Sequence, residues 1–540
     1  GGDVVLAADR NIEALPDSGT NITAESLAIE DALIVQGQAA ASPLVTDVNS
    51  LEMSNITTSV ILTNLSDLEI GLGNINIAGT INLEVQGNLT VAGLITTTST
   101  DAGEVLRLTV SDDLIIDSKI TADGNAAAET FLDVGGAILD DADSATSVID
   151  TPILNILHAG SIGHSGANGA LDVKDITTLN IRDAADPAAA VVSGDSFINS
   201  VAGLPALTVD VITDGGFSLI AKGDITATSI TTSDDFVTLT ATTGDVIAST
   251  ITAGTAPVTI EATAGEILDD TNGATSITGG LVTLTARDGI GTGDAIETTA
   301  DQLDVSVTAA GDILIDEADG VELLDVDTVD GDITVVLATG DAEIGTINAG
   351  AGTDDVILTL TAAGQSVTDG DGNSLITADA LTIQAGADIG TSEQAINTDA
   401  VSYADIDSTT TGDIHLSDID SVTATAVKTT AGSITLGAET NIELDGVINA
   451  EGGGLTINAG NVTDTAAASI TTGADSAITI TAIDSAELGE AAIVSGKNSP
   501  VTITADQDVD VAAVTTGEDS NITITAGDEL DLTGAITGGT

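Results

Sequence analysis

Residues 235–255 read DFVTLTATTGDVIASTITAGT. Inside them, Val237-Thr-Leu239-Thr-Ala241 alternates apolar and polar residues, the period-two pattern of a strand with one buried face. Five residues cannot form a stable sheet alone, so the strand must be one side of a larger unit. Two further candidate strands follow, Asp245–Ala248 and Thr250–Thr252, set off by Thr-Gly and by a polar step at Ser249. Three short strands and three turns in so few residues predict one rung of an all-β fold, a right-handed parallel β-helix. Successive rungs would stack about 4.8 Å apart. The alternation sends Val237, Leu239 and Ala241 inward and Thr238 and Thr240 outward.

The same grammar recurs along the chain, at Val258–Ala262, Val282–Ala286, Val305–Ala309, Leu358–Ala362 and Leu381–Ala385. It returns at Ile434–Ala438, Leu455–Ala459, Ile478–Ala482, Val501–Ala505 and Ile522–Ala526. The last five alanines fix a rung of roughly 21–23 residues. The 53 residues between Ala385 and Ala438 fit two coils, one with an irregular insertion around Tyr403. Gly-Asp pairs (Gly223-Asp224, Gly244-Asp245, Gly311-Asp312, Gly331-Asp332) read as corners, with permissive backbone and a side chain able to bond its own turn. The expected organisation is β-helix rungs over 1–120, longer irregular loops over 121–214 and regular rungs over 215–540. Together these make one continuous solenoid, excerpted from a longer chain. Thr, Gly, Val and Ile are poor to mediocre helix formers, and no 3.6-residue periodicity persists.

Composition agrees. Of 540 residues 42% are hydrophobic but only 1% aromatic, with no Trp, one Tyr and one Met. A narrow interior filled by Ala, Val, Ile and Leu explains the shortage. Nine basic residues stand against 85 acidic ones, a formal net charge of −76. Nucleic acid is excluded as a partner, because Lys and Arg supply that affinity. Docking on anionic lipid is opposed for the same reason. Disorder would need low hydrophobicity, whereas the mean hydropathy is +0.34. No stretch reads as a membrane span, and the absence of cysteine is compatible with an extracellular site for a long stacked core.

These rungs, with Gly-Asp-Ile corners and Leu-Thr-Leu-Thr-Ala strands, resemble the repeats of filamentous-haemagglutinin-type large exoproteins, or giant adhesins. Two recurring insertions strengthen the resemblance. One is Gly-x-Ile-Leu-Asp-Asp followed by Ala-Thr-Ser-Ile/Val, at 136–149 and 265–277 with a looser copy at 364–376. The other is Ile-Gly-Thr followed by Ala-Ile-x-Thr, at Ile290–Thr298 and Ile389–Thr398. The resemblance implies a secreted β-helical stalk of a surface protein.

Candidate chemistry is sparse. His158 and His164 share one irregular stretch and His415 stands apart, which reads as loop and edge histidine more readily than as a metal site. Basic residues such as Lys119, Lys174, Arg182, Lys222 and Arg287 are scattered singly, so no carboxylate pair stands out as a glycosidase or lyase centre. Asp369-Gly-Asp371-Gly-Asn373 resembles half of a calcium loop, and Asp140-Asp141-Ala-Asp143 is similar. Calcium needs six to eight oxygens, so turn formation is the first reading of these six residues and weak calcium ligation the second. Six Asn-x-Ser/Thr sequons (Asn21, Asn55, Asn64, Asn88, Asn461, Asn521) are no more than abundant Ser and Thr would produce. Thr479/Thr481, Thr502/Thr504 and Thr523/Thr525 would form an outward ladder, the ordinary solvated face of a β surface. The expectation is therefore a non-enzymatic structural or adhesive component of an extracellular filament, stalk, sheath or cell surface. It needs no cofactor, unless calcium, and assembles with copies of itself or with matrix components. A carbohydrate-active β-helix or phage-type depolymerase fibre is the alternative.

Overall fold

A computed structural model describes residues 2–15, 19–38, 42–140, 147–165, 169–182, 189–201, 206–271, 276–350 and 352–539. It is an all-β parallel solenoid of about 23 turns, with no helix among the described residues. The chain divides into two compact units, Gly1–Gly280 and Leu281–Thr540. Strand pairing is parallel throughout the described registers, apart from one isolated antiparallel bridge between Asp330 and Gly350.

In the first unit, Val237–Ala241 sits in register between Phe217–Ala221 and Val258–Ala262, so Leu239 stacks on Leu219 and under Ile260. Val237, Leu239 and Ala241 are fully buried, and Thr238 and Thr240 face outward, as alternation requires. Upstream, Leu68, Leu89, Leu114, Ile138 and Ile162 form one apolar column. The step from Ile162 to its next partner, Ser196, is longer than any before it in that column.

In the second unit Ile383, Ile406, Val427, Ile448, Ile470, Ile493 and Val514 stack one above another. A second column carries Ile414–Asp418, Ile434–Ala438, Leu455–Ala459, Ile478–Ala482, Val501–Ala505 and Ile522–Ala526. The repeat at Leu381–Ala385 therefore belongs to a different column from that at Ile434–Ala438. The 53-residue gap is a change of column and not two whole coils. Tyr403 is no insertion either: it is fully buried in the unbroken strand Ile396–Ser408, beside a bulge in the register at Leu381/Thr382. Four of the repeat alanines, Ala309, Ala362, Ala438 and Ala526, are only half-buried: Ala362 lies past the end of its strand, Ala309 and Ala438 at or next to the end of theirs, and Ala526 in a strand with no fully buried side chain.

The corners are built differently from the sequence expectation. Asp224 does not bond its own turn; its Oδ1 accepts the backbone N–H of Asp245, one rung on, at 3.1 Å. Asp245 accepts from Glu266 N at 2.9 Å in the same way. Asp67, Asn88 and Asp113 form another such series, accepting from Asn88, Asp113 and Ala137. In the second unit Asp312, Asp332 and Asp355 accept from Asp332, Asp355 and Ala380, and Asp388 and Asp413 from Asp413 and Ser433. At a corner the strand ladder is interrupted, so a backbone N–H would go unpaired, and the carboxylate below satisfies it. Glycine is required there because a Cβ on Gly244 would collide with the Asp224 carboxylate and backbone.

Threonine is not confined to the surface. Ser408, Thr429, Thr472 and Ser495 point inward at strand ends and donate to the carbonyls of Ala387, Gly412, Ser476 and Ser499 at 2.6–3.0 Å. Each stitches the end of a strand to a neighbouring turn.

Candidate functional site

The Asp369 loop leaves the sheet between two registered positions: Thr368 pairs with Glu343, and Leu375 pairs with Thr346. Asp369 is buried at the loop's start. Its Oδ1 accepts from Gly372 N at 2.7 Å, and its Oδ2 accepts from the Ser374 hydroxyl at 2.7 Å and more distantly from Ser374 N. Asp371 and Asn373 are exposed and bond each other, the Asp371 oxygens accepting from Asn373 N and Nδ2 at 2.9 and 3.0 Å. Those bonds hold the Asp371 carboxyl below the usual carboxylate range. All four carboxylate oxygens thus accept hydrogen bonds from within the loop. Asp140 is buried at the end of the strand Ala137–Asp140, in register with Ile116, while Asp141 and Asp143 lie outside the described residues. Asp269 occupies the matching place in the second copy of the insertion, buried and accepting from Thr271 N at 2.6 Å. The inward Asp369 and Asp269 thus anchor the start of the excursions they precede. Among the described residues no group of three or more His, Asp or Glu side chains is disposed to hold a metal ion.

His158 and His164 are exposed, as expected of edge histidines. Lys119 and Lys174 converge on the buried Asp150 at 2.7 and 3.3 Å, and Lys174 also meets Asp175 at 2.8 Å. This is a charge network between rungs that the scattered sequence positions concealed. Of the sequons, Asn64 is fully buried and unavailable to a glycan. No protein-family model matches this chain, and no curated protein or solved structure is significantly similar to it.

Two surfaces differ in character. On the column from Ile414 to Ala526 the outward side chains are His415, Ser417, Thr435, Thr456, Asn458, Thr479, Thr481, Thr502, Thr504, Thr523 and Thr525, with Gly437 among them and no carboxylate. Thr479, Thr502 and Thr523 are in register, as are Thr481, Thr504 and Thr525. Another column in the same rungs carries Glu443, Thr463, Glu487, Asp510 and Asp531 in sequence. In these rungs one column of outward side chains carries no carboxylate, and the other is mostly acidic. Sequence reading found the threonine ladder but not this segregation, because the two columns are interleaved along the chain.

Elsewhere, the Phe197 and Phe236 rings lie 6.0 Å apart, half-exposed, on the first unit. Asn199, on the same strand as Phe197, donates to Asp172 at 2.8 Å. Burial pushes the Asp172 carboxyl up.

Proposed function

We propose that this protein is a non-enzymatic structural or adhesive element of an extracellular filament, stalk, sheath or cell surface. The observation that carries the reading is where the polar side chains go. Corner carboxylates and inward hydroxyls are engaged in holding one turn to the next, and among the described residues no group of His, Asp or Glu side chains is disposed to hold a metal ion. Such a molecule offers length and surface. The finer geometry of the proposal is a right-handed coil with about three strands per rung, the hand favoured for parallel crossovers. The likeness to filamentous-haemagglutinin-type exoproteins and the secreted location belong to the same proposal.

Lateral contact would run through the uncharged hydroxyl column. Two copies of a chain carrying −76 repel wherever acidic faces meet, and a face without carboxylates escapes that term. Six rungs of a five-residue strand offer roughly 450 Å2 per partner, below the ~800 Å2 of a standard interface. Association is therefore weak for a single contact and gains from repetition. Sedimentation of the chain and of Thr481→Asp/Thr504→Asp tests this. The parent self-associates at high concentration in moderate salt and the variant does not. A parent that stays monomeric under all conditions refutes assembly through this face.

The carbohydrate reading has one feature in its favour, the Phe197/Phe236 pair beside Asn199 and Asp172, since an aromatic face stacks on sugar rings. Glycan-array binding that disappears in Phe197→Ala/Phe236→Ala would favour it over the structural reading.

A further inference from the structure

The insertion Ile-Gly-Thr…Ala-Ile-x-Thr ends, in both its copies, on a threonine that points into the core. Gly291 and Gly390 adopt φ of +70° and +68° to start the excursion. The chain then rejoins the sheet at Ile296 and Ile396, beside Ile315 and Leu416. Thr298 and Thr398 follow, fully buried, at the first bend of unusually long strands, Ile296–Ala310 and Ile396–Ser408. These strands turn a corner without a turn sequence, and the N–H just past the bend needs an acceptor. At the first corner Glu317 provides it: Thr298 donates its hydroxyl to Oε2 at 2.6 Å, and Ala300 N and Asp319 N donate to Oε1 at 3.3 and 3.2 Å. At the second, Asp418 Oδ2 accepts from the Thr398 hydroxyl at 2.8 Å and from Ala400 N at 3.1 Å, and its Oδ1 from Asp420 N at 3.1 Å. Tyr403, 2.7 Å from the Thr398 oxygen, donates to it, because the Thr398 proton is already committed.

The chain holds a third corner of this kind. In the long strand Leu44–Ile56, Thr46 donates to Asn64 Oδ1 at 2.9 Å, and Val48 N donates to the same oxygen at 2.9 Å. Asn64 also uses its Nδ2 to donate to the carbonyls of Val48 and Ser66 at 3.0 and 2.9 Å. A neutral side chain with one acceptor and one donor end thus completes the same joint. A protonated carboxyl is that same kind of group, with one oxygen accepting and an O–H donating. We propose that Glu317 and Asp418 are proton-binding joints of the solenoid, which take up a proton on mild acidification and pass to the arrangement Asn64 holds permanently.

The surroundings favour uptake. Neither carboxylate meets a cation: Glu317 and Asp418 appear in no ion pair among the described residues. The titratable groups near Asp418 are Tyr403 and Asp399 on the preceding strand and Asp420 beyond it; the strand above, Ile434–Ala438, brings none. Near Glu317 they are Asp316 and Asp319, with Glu297 and Asp301 on the strand below and none on Ile333–Leu337 above. All are acidic or neutral. Burial, the largest influence, pushes both carboxyls up, with Asp319 and Asp420 adding to it, and outweighs the hydrogen bonds each carboxylate accepts, which pull the other way. A carboxyl raised in the folded state contributes stability that is fully present below its unfolded pKa, near 4, and is lost as pH rises through the folded value.

The test compares the full chain with Glu317→Gln/Asp418→Asn and, separately, with Asn64→Asp, by thermal unfolding between about pH 7 and about pH 5. Loss of general acid–acid repulsion stabilises all of them on acidification. The parent should gain more than the double variant, and Asn64→Asp should melt below the parent at the higher pH and recover at the lower. The infrared band of a buried protonated carboxyl should grow in the parent over the same range and be diminished in the double variant. Equal pH slopes for parent and double variant, together with an Asn64→Asp chain that shows no added acid recovery, overturn the proposal.

Discussion

Asp224 shows how one residue type does two jobs. It carries charge outward, and it also closes the backbone of the rung above through Asp245 N. Removing it in Asp224→Ala leaves that N–H to water or unpaired, a cost of about 1 kcal/mol. Gly244→Ala forces a Cβ against the same carboxylate and its backbone; crowding of that kind costs about 1–3 kcal/mol, so the glycine change should be the worse of the two. Hydrogen exchange at Asp245 and its neighbours reads both: faster in each variant, and fastest in Gly244→Ala. The role of Asp224 was half legible in sequence. Gly-Asp marked a corner, but the bond runs to a residue 21 positions away, and no local pattern announces a partner one turn further on. The inward role of Thr298 was hidden in sequence for a related reason. A threonine in a strand is ordinarily an outward residue, and only the acceptor on the next rung turns it inward.

At the scale of the strand, alternation was decisive wherever a strand was short and straight. Val237–Ala241 and Val501–Ala505 bury the expected side chains. Alternation failed where strands bend, because a bulge shifts every later residue to the other face, as at Leu381/Thr382 opposite Tyr403. The candidate calcium loop was legible as a loop, and its Asp-Gly content said no more than that. Its interior anchor, Asp369, could have been found by aligning it with Asp140 and Asp269, which begin the same insertion. Each strand contacts mainly the strands above and below it, so damage should stay local. Leu239→Ala empties a site packed between Leu219 and Ile260 and should cost about 2–5 kcal/mol. Amide exchange should accelerate through Phe217–Ala221 and Val258–Ala262 while Val501–Ala505 stays protected. Uniform acceleration in both regions would mean that the chain unfolds as one cooperative body and that rung-by-rung stability is the wrong description.

For the whole molecule the question is how so much negative charge is tolerated. Among the described residues seven of the nine basic side chains are in ion pairs, and nine cations cannot compensate 85 acids. Stacking places like charges about one rung apart, as in Asp312, Asp332 and Asp355. In water two such charges ~5 Å apart repel by about 0.8 kcal/mol, and each carboxylate has neighbours above and below. The hydrogen bonds it accepts hold it in place without neutralising it. Screening lengths of about 30 Å at 0.01 M salt and about 3 Å at 1 M bracket the spacing between rungs, so salt should act strongly on this repulsion. Burial pushes Asp304 and Asp327 up, with repulsion from Asp325 adding to it; Asp304 and Asp325 are paired in register. Such groups oppose folding more as pH rises through their folded values, and acid relieves them. The melting temperature should therefore climb from low salt to moderate NaCl, and climb further in millimolar Ca2+, which can bridge carboxylates on adjacent rungs or adjacent copies. A chain that melts identically in all three solutions would mean that rung-to-rung hydrogen bonds and water already absorb the repulsion, leaving the acidic surface to serve solubility alone.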